Sequence, residues 1–182
     1  MDKSALITFI RQVSLKKGDF TLASGQKSSF YIDLKLTTLH PRGIDLIAKY
    51  AYQKLIESEW VIEGIGGPTL GADPLATGIS LEAYRNGRIW PAFIVRKNTK
   101  SHGTDQSVEG RSNLAENAKV VILEDVVTTG GSSLDAIEKV RAERLNPVGV
   151  LSVVDRQAGA KQAYEREGLA YVSLCQLSDI LD

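Results

Sequence analysis

The order of hydrophobic and polar positions predicts a helix and a hairpin near the N-terminus, followed by a second helix. The first helix is indicated by apolar residues at helical spacing, Leu6, Phe9, Ile10 and Val13. Gly18 ends that pattern, and the stretch FTLASGQKSSFYIDL predicts two short strands joined by a turn around Gly25. From Pro41 the helical spacing returns as one apolar stripe, formed by Ile44, Ile47, Ala48, Ala51 and Leu55.

Beyond this helix, apolar runs alternate with helical patterns. The runs that predict strands are WVIEGIG, PAFIV, KVVILED and VGVLSVVD, and helices are predicted at residues 75–84 and 134–145. Strands that alternate with helices favour right-handed crossovers and a parallel sheet. The sequence therefore predicts an α/β fold, a doubly wound, mainly parallel sheet flanked by helices. Residues 1–182 are expected to form one domain, in which residues 1–40 supply a small cap on one side.

Composition excludes several classes of protein. The 182 residues include 22 Lys+Arg and 22 Asp+Glu, so the formal net charge is zero and no overall field attracts a long polyanion such as DNA. The single Cys175, in the apolar run YVSLCQL, is read as a small buried residue. The N-terminus lacks a secretory pattern, and no apolar run approaches the roughly 20 residues that span a bilayer. We therefore expect a cytoplasmic protein that binds neither nucleic acid nor membranes.

The predicted strand KVVIL ends in two adjacent carboxylates, Glu124 and Asp125. Doubly wound sheets bind ligands beyond the carboxyl ends of their strands, so the informative loops are those after Ile65, Val95, Asp125 and Asp155. The two acids could be ordinary solvated residues, because loops are rich in Asp. They could equally bind a ligand at the edge of the sheet.

A loop of hydroxyl and glycine residues follows the acids and leads into the next predicted helix: Thr128, Thr129, Gly130, Gly131, Ser132 and Ser133. Unpaired amides and the helix dipole at such a place suit a phosphate monoester. The alternative is a simple turn in which Ser132 caps the helix and Asp135 completes a variant capping box. A P-loop is excluded because no lysine follows Gly131, and in GIGGPTLG Thr69 replaces the third glycine of a dinucleotide fingerprint.

The whole stretch VVILEDVVTTGGS resembles the phosphoribosyl-diphosphate signature of the type I phosphoribosyltransferases. The resemblance implies their fold and a Mg²⁺ cofactor held mainly through the substrate, with Asp125 and Glu124 as the candidate protein ligands. It also implies that the two acids bind the ribose hydroxyls and that residues 128–133 hold the 5′-phosphate. The implied phosphoribosyl-diphosphate site comprises Arg96, Lys97, Lys100, His102, Glu124, Asp125, Val126, Val127, Thr128, Thr129, Gly130, Gly131 and Ser132.

Three further segments resemble orotate phosphoribosyltransferases in particular: FTLASGQKSSFYIDL, RKNTKSHG and VVDRQ. The first is similar to that family's hood over the base, so residues 1–40 would contribute most of a hood. The second is similar to the family's mobile catalytic loop, and implies catalytic roles for Lys100 and His102 together with Asp125. It also implies a homodimer in which Lys100 and His102 reach the neighbouring active site. The implied orotate site is formed by Thr128, Arg156, Phe30 and Tyr31.

These segments also allow simpler interpretations. Arg156 could form a structural ion pair with Asp155 or another acid instead of gripping a carboxylate. The basic stretch after PAFIV could be a solvated connection, although a closing lid over pyrophosphate would use such cations. The loop at residues 66–71 is a tight turn that would also place amides near the pyrophosphate. His40, just before Pro41, is read as part of a helix start.

Two positions depart from the orotate pattern, because Ala23 and Gly71 stand where some orotate enzymes carry lysine. Lys27 is a candidate replacement on the hood. The resemblance implies transfer of the 5-phosphoribosyl group to orotate, giving orotidine 5′-monophosphate and pyrophosphate in pyrimidine biosynthesis. A purine phosphoribosyltransferase is an alternative that gives no reason for Arg156. A second alternative is a non-catalytic regulator that senses phosphoribosyl diphosphate, and it would need a nucleic-acid surface.

Overall fold

The structure is a computed structural model that describes residues 3–21, 27–97 and 107–181. Its strands are β1 (Leu15–Thr21), β2 (Lys27–Ile32), β3 (Gly64–Pro68), β4 (Ala92–Val95), β5 (Val108–Glu109), β6 (Lys119–Val127), β7 (Asn146–Asp155) and β8 (Ala170–Gln176). Its α-helices are α1 (Lys3–Val13), α2 (Lys35–Thr38), α3 (Pro41–Glu57), α4 (Ala72–Arg85), α5 (Gly131–Ala142), α6 (Ala160–Arg166) and α7 (Leu177–Leu181).

Within these residues the main sheet has six strands in the order β5-β4-β3-β6-β7-β8. Neighbouring strands are parallel except for β4 and the short β5. Alternate residues of β6 enter the two hydrophobic cores, Val121 and Leu123 on the side of α1, α3, α4 and α7, and Val120 and Ile122 on the side of α5 and α6. The predicted doubly wound, mainly parallel sheet flanked by helices is confirmed.

The N-terminal hairpin forms a second sheet of two antiparallel strands, β1 and β2, in the described part of the chain. The predicted helix and two strands are therefore present, although β1 begins at Leu15 and includes Gly18 instead of starting after it. The predicted turn around Gly25, together with Ala23, lies outside the described residues. Helix α1 is tied to the C-terminal helix, since Lys3 Nζ lies 2.7 Å from Asp179 Oδ2.

Two predicted boundaries in the sheet are wrong. The run WVIEGIG was expected to be the strand, but β3 covers Gly64–Pro68 and Val61 is exposed. The strand expected to end at the acid pair instead continues to Val127, because β7 goes on pairing with it, Val127 opposite Asp155. Two of the strand-end loops therefore begin two or three residues later than expected, after Pro68 and Val127.

Two local predictions are confirmed, those for His40 and for Cys175. Helix α3 begins at Pro41, and His40 caps it by accepting a hydrogen bond at Nδ1 from the Arg42 N–H, 3.1 Å away. Cys175 is buried, and this burial raises the pKa of its thiol to about 12. None of the helices in the described ranges combines the length and the apolar character that crossing a membrane requires.

Candidate active site

The acid pair lies near the carboxyl end of β6, where successive side chains point to opposite faces. Glu124 is buried on the α5 side and accepts a hydrogen bond from Ser133 Oγ at 2.8 Å. Asp125 is partly exposed on the other side, and its Oδ1 accepts from the Val126 N–H at 2.8 Å. Although the two side chains point to opposite faces of the sheet, both carboxylates lie at its carboxyl-terminal edge.

The two acids differ in their electrostatic environment. Burial raises the pKa of Glu124 to about 7, the hydrogen bond from Ser133 opposes this shift, and the charge of Asp125 adds to it. Glu124 is therefore poised between its protonated and ionised forms near neutral pH. Hydroxyl donors or a cation bound beside it would favour the ionised form.

The loop after β6 turns at Gly130, which has the left-handed φ of 89°. A Cβ atom there would also lie 3.0 Å from the Tyr164 hydroxyl oxygen, so glycine is favoured on both counts. Helix α5 begins at Gly131, and no side chain in the described residues caps it, so the alternative with Ser132 as N-cap is wrong. The first amides of α5 are left to bind an anion, beside the exposed Thr128 and Thr129.

Two adjoining cavities share Glu124 and Ser132 as a common wall. The smaller one, about 230 Å³, which we call the phosphate cavity, is lined by Glu124, Val126, Val127, Thr128, Thr129, Gly130, Gly131 and Ser132. The larger one, about 410 Å³, which we call the diphosphate cavity, is lined by Lys35, Pro68, Thr69, Leu70, Gly71, Lys97, Glu124, Asp125 and Ser132. The signature VVILEDVVTTGGS thus forms one cavity completely and contributes the acidic wall of the other.

The segment after β3 forms the opposite wall of the diphosphate cavity. The Thr69–Leu70 peptide bond is cis, and Thr69 Oγ1 donates to Asp73 Oδ2 at 2.8 Å. Gly71 lies against Asp125, since a Cβ atom on residue 71 would be 2.6 Å from Asp125 Oδ1. Any side chain at residue 71 would therefore displace the Asp125 carboxylate from its present position.

The cations predicted after β4 do not share one environment. Lys97 borders the diphosphate cavity, whereas the Arg96 guanidinium forms an ion pair with Glu109 of β5. Lys139 of α5 holds this stretch of backbone, because its Nζ donates to the carbonyl oxygens of Arg96 and Lys97, each at 2.8 Å. The first residues of α5 therefore line the phosphate cavity, and Lys139 further along the helix holds the backbone of Arg96 and Lys97.

Arg156 directly follows β7 at the same edge of the sheet as the acid pair. Its backbone N–H donates to the Val127 carbonyl oxygen at 2.9 Å, which brings it beside Thr128 at the neighbouring strand end. In residues 3–21, 27–97 and 107–181 no carboxylate forms an ion pair with its guanidinium. Asp155 instead accepts a hydrogen bond from the Gln157 N–H at 2.7 Å. The structural ion pair considered for Arg156 is therefore not formed among these residues.

The predicted hood and lid residues are only partly described. Phe30 and Tyr31 are neighbours in β2, so their side chains point to opposite faces of the hairpin. The Tyr31 ring contacts that of Phe20 in β1, with 5.7 Å between the ring centroids. Lys100 and His102 lie outside the described residues.

The donor atoms at the cavities fit magnesium better than a metal bound by protein alone. Among the described residues no group of three or more His, Cys, Asp and Glu side chains could hold a metal ion. The site offers instead Glu124 and Asp125 beside a space for a phosphorylated substrate. Mg²⁺ commonly takes one or two carboxylates together with substrate phosphates and water.

Comparison with known proteins decides the family. A family model described as "Phosphoribosyl transferase domain" matches residues 37–173. The orotate phosphoribosyltransferase of Nostoc sp. is 42% identical over 175 residues, which are 96% of this chain and 83% of that protein. The chain belongs to the orotate phosphoribosyltransferases.

Solved structures of orotate phosphoribosyltransferases share the fold. The enzyme of Mycobacterium tuberculosis in complex with Fe(III) dicitrate has a TM-score of 0.84 and 39% identity, covering 99% of both chains. The same enzyme in complex with 5-phospho-α-D-ribosyl 1-diphosphate has a TM-score of 0.80 and 36% identity over the whole of both chains. The resemblance drawn from the signature, the loop and Arg156 is confirmed.

Two lysines at the site were not predicted from the sequence. Lys35 borders the diphosphate cavity, and Lys139 holds the backbone of Arg96 and Lys97. Lys139 lies in an ordinary amphipathic helix, where its charge carries no signal. The only hint for Lys35 is its place directly after the hood segment FYIDL.

Proposed function

We propose that this protein transfers the 5-phosphoribosyl group from phosphoribosyl diphosphate to a ring nitrogen of orotate, giving orotidine 5′-monophosphate and pyrophosphate. The reaction belongs to pyrimidine biosynthesis. One observation carries the proposal: in a chain of this family, the acid pair joins a phosphate cavity at a helix start to a larger cavity with room for a diphosphate. The relatives at about 40% identity are orotate enzymes, which favours orotate over a purine base and catalysis over regulation.

The phosphate cavity binds the 5′-phosphate of the donor. Amides of residues 128–132 and the hydroxyls of Thr129 and Ser132 donate to the phosphate oxygens, and the α5 dipole favours their charge. The ribose hydroxyls donate to Glu124 and Asp125, which favours the ionised form of Glu124. The donor is thus held at both ends of its sugar.

The diphosphate cavity receives the leaving group. Asp125 and Glu124 are the candidate protein ligands of a Mg²⁺ ion, which would supply positive charge to offset that of the leaving diphosphate. Departure of pyrophosphate leaves positive charge on the sugar, which the nearby carboxylates stabilise without a covalent bond to the enzyme. Lys97, with Arg96, Lys100 and His102, stabilises the charge of pyrophosphate.

The acceptor is oriented by groups from separate elements. The Arg156 guanidinium grips the orotate carboxylate, and Thr128 contributes a hydroxyl from the adjacent strand end. The hairpin covers the base, with Phe30 and Tyr31 of β2 as its candidate contacts. Orotate is then held with its ring nitrogen facing the sugar, which lowers the entropic cost of the reaction.

A homodimer is the second part of the proposal. Its support is an exposed apolar surface along the end of α4, which includes Leu81, Tyr84 and Ile89 beside a groove of about 390 Å³. In the dimer, Lys100 and His102 of each subunit act in the neighbouring active site. Light scattering measures the mass directly, and a monomer at micromolar concentration would contradict this arrangement. The single domain with its hood at residues 1–40 and the cytoplasmic location remain predictions.

The reaction is tested by incubating the protein with phosphoribosyl diphosphate, Mg²⁺ and one free base at a time. Pyrophosphate release is measured with orotate, uracil, hypoxanthine and adenine. Orotate should give rapid release, and removal of Mg²⁺ with a chelator should abolish it. Release with a purine and none with orotate would contradict the proposed acceptor while keeping the reaction class.

A further inference from the structure

Lys35 stands at the entrance of the diphosphate cavity, between the hairpin and the main sheet. It is the first residue of α2, and its side chain is about half exposed, with Nζ 2.9 Å from Asp33 Oδ1. The hydrogen bond to Asp33, and more weakly the charges of Asp125 and Tyr31, raise the pKa of Lys35. Lys35 is therefore firmly protonated. It is also the residue through which α2 lines the diphosphate cavity.

The described wall of the diphosphate cavity holds few positive charges. Its charged residues are Lys35, Lys97, Glu124 and Asp125. Residues 69–71 bring no charge to this wall, and at Gly71 the space for a side chain is taken by the Asp125 carboxylate. Because a diphosphate carries several negative charges, a cation on the side away from Lys97 would complete its binding.

Lys35 and Lys97 reach the cavity from different elements. Lys97 follows β4 and also lines a smaller cavity beside α5, together with Ser132 and Lys139. Lys35 comes from the hairpin side and lines the space together with Thr69, Leu70 and Gly71. Both lysines thus line the volume into which the leaving group departs, and they belong to different elements of the fold.

We propose that Lys35 is a substrate-binding residue that donates a charge-assisted hydrogen bond to the diphosphate of phosphoribosyl diphosphate. The inference rests on the proposed function, because it assumes that this cavity receives the leaving group. Lys35 supplies on the hairpin side the cation that residue 71 does not provide. Among the described residues, the cavity that Lys35 lines is bordered by neither Arg156 nor Thr128, which favours the diphosphate over the orotate carboxylate as its ligand.

The test compares Lys35→Met, Lys35→Arg and the control Lys49→Met. Lys49 is matched because it pairs with Asp45 at 2.8 Å, is similarly exposed, and lies on α3 away from the cavities. Lys35→Met should raise the KM for phosphoribosyl diphosphate about tenfold, as loss of one charge-assisted hydrogen bond does. The KM for orotate should change by less than about twofold. Lys35→Arg should recover most of the loss, and Lys49→Met should match the wild type.

Two outcomes would overturn this role for Lys35. One is an unchanged KM for phosphoribosyl diphosphate in a folded Lys35→Met protein, and the other is a rise confined to the KM for orotate. If Lys35→Met does not fold, Lys35→Gln takes its place with the same expected result.

A binding measurement separates this inference from the proposed reaction. Calorimetry with Mg²⁺ and inorganic pyrophosphate measures the affinity of the diphosphate cavity without orotate and without turnover. If the wild type fails to use orotate yet binds pyrophosphate about tenfold more tightly than Lys35→Met, the proposed acceptor fails and Lys35 keeps its role. Equal pyrophosphate affinities for the two proteins would contradict the role of Lys35 whatever the acceptor is.

Discussion

The two halves of the site are built in different ways. The phosphoribosyl half, residues 119–133, is one continuous segment in which a buried strand, a glycine turn and a helix start present amides and two acids. The acceptor half combines the hairpin β1–β2 with Arg156 after β7, which are far apart in the sequence. A segment whose backbone makes the site can be recognised from one continuous motif, whereas the acceptor residues were predicted only through resemblance in separate segments.

The largest effect should come from the phosphoribosyl half, in Asp125→Asn. The amide keeps the size of the side chain and removes the charge that faces the sugar, so kcat/KM should fall by roughly 10²- to 10³-fold with either substrate varied. Steady-state kinetics measure this fall. Asp45→Asn, on the exposed surface of α3, is the control and should behave as the wild type. A loss of less than about threefold would mean that Asp125 does not act on the reacting sugar.

Arg156→Ala should affect the acceptor half alone. Without the guanidinium the KM for orotate should rise by roughly 10- to 100-fold, as loss of a bidentate ionic contact does, while the KM for phosphoribosyl diphosphate stays within about twofold. Initial rates with each substrate varied in turn separate the two constants. Equal changes in both would show that the halves are not separable, and unchanged use of orotate would remove Arg156 from the acceptor site.

The raised pKa of Glu124 predicts a dependence of stability on pH. The pKa is near 4.5 in the unfolded chain and about 7 in the folded protein, so the folded state binds more protons between these values. The free energy of unfolding of the metal-free protein should therefore fall as pH rises from about 4.5 to about 7, by about 3 kcal/mol. Glu124→Gln should remove this slope and be more stable than the wild type at pH 8. Urea unfolding of both proteins across this range measures the difference. If their free energies of unfolding depended on pH in the same way, the raised pKa of Glu124 would be contradicted.

The sequence was sufficient for the parts that follow from hydrophobic periodicity. The alternation of apolar runs predicted the parallel sheet, because a strand covered on both faces must be apolar throughout, as in Val120–Leu123. The same alternation misplaced β3, which was predicted to begin at Trp60. Trp60 is apolar because its ring lies against Gly149 of β7, not because it belongs to a strand. The glycines of β3 are required instead by neighbouring backbone, since a Cβ on Gly67 would collide with the Leu123 carbonyl oxygen.

The residues that sequence reasoning missed depend on distances that no local pattern encodes. The two-residue strand β5 forms only because β4 offers it an edge, Val95 opposite Val108. The role of Lys139 depends on the fold, which places its Nζ between two carbonyl oxygens of another segment. Gly71 was known as a departure from the orotate pattern, but its contact with Asp125 was not, because the two residues are brought together by the packing of α4 beside β6.

Gly71→Ala gives the smallest effect and tests how the two walls of the diphosphate cavity depend on each other. The added Cβ would lie 2.6 Å from Asp125 Oδ1, so the carboxylate must move. We expect kcat to fall about tenfold through the displaced carboxylate, with a thermal unfolding midpoint close to that of the wild type because the side chain of Asp125 can shift toward solvent. Unchanged kcat would show that the reaction tolerates movement of Asp125.

The central claim is that the acceptor half selects orotate by its carboxylate, while the phosphoribosyl half is indifferent to the base. Uracil is orotate without the carboxylate, so the ratio of kcat/KM for orotate to that for uracil tests the claim most directly. The account predicts a ratio of at least about 10² in the wild type, which falls toward 1 in Arg156→Ala. A wild-type ratio near 1, or a ratio that Arg156→Ala leaves unchanged, would contradict it.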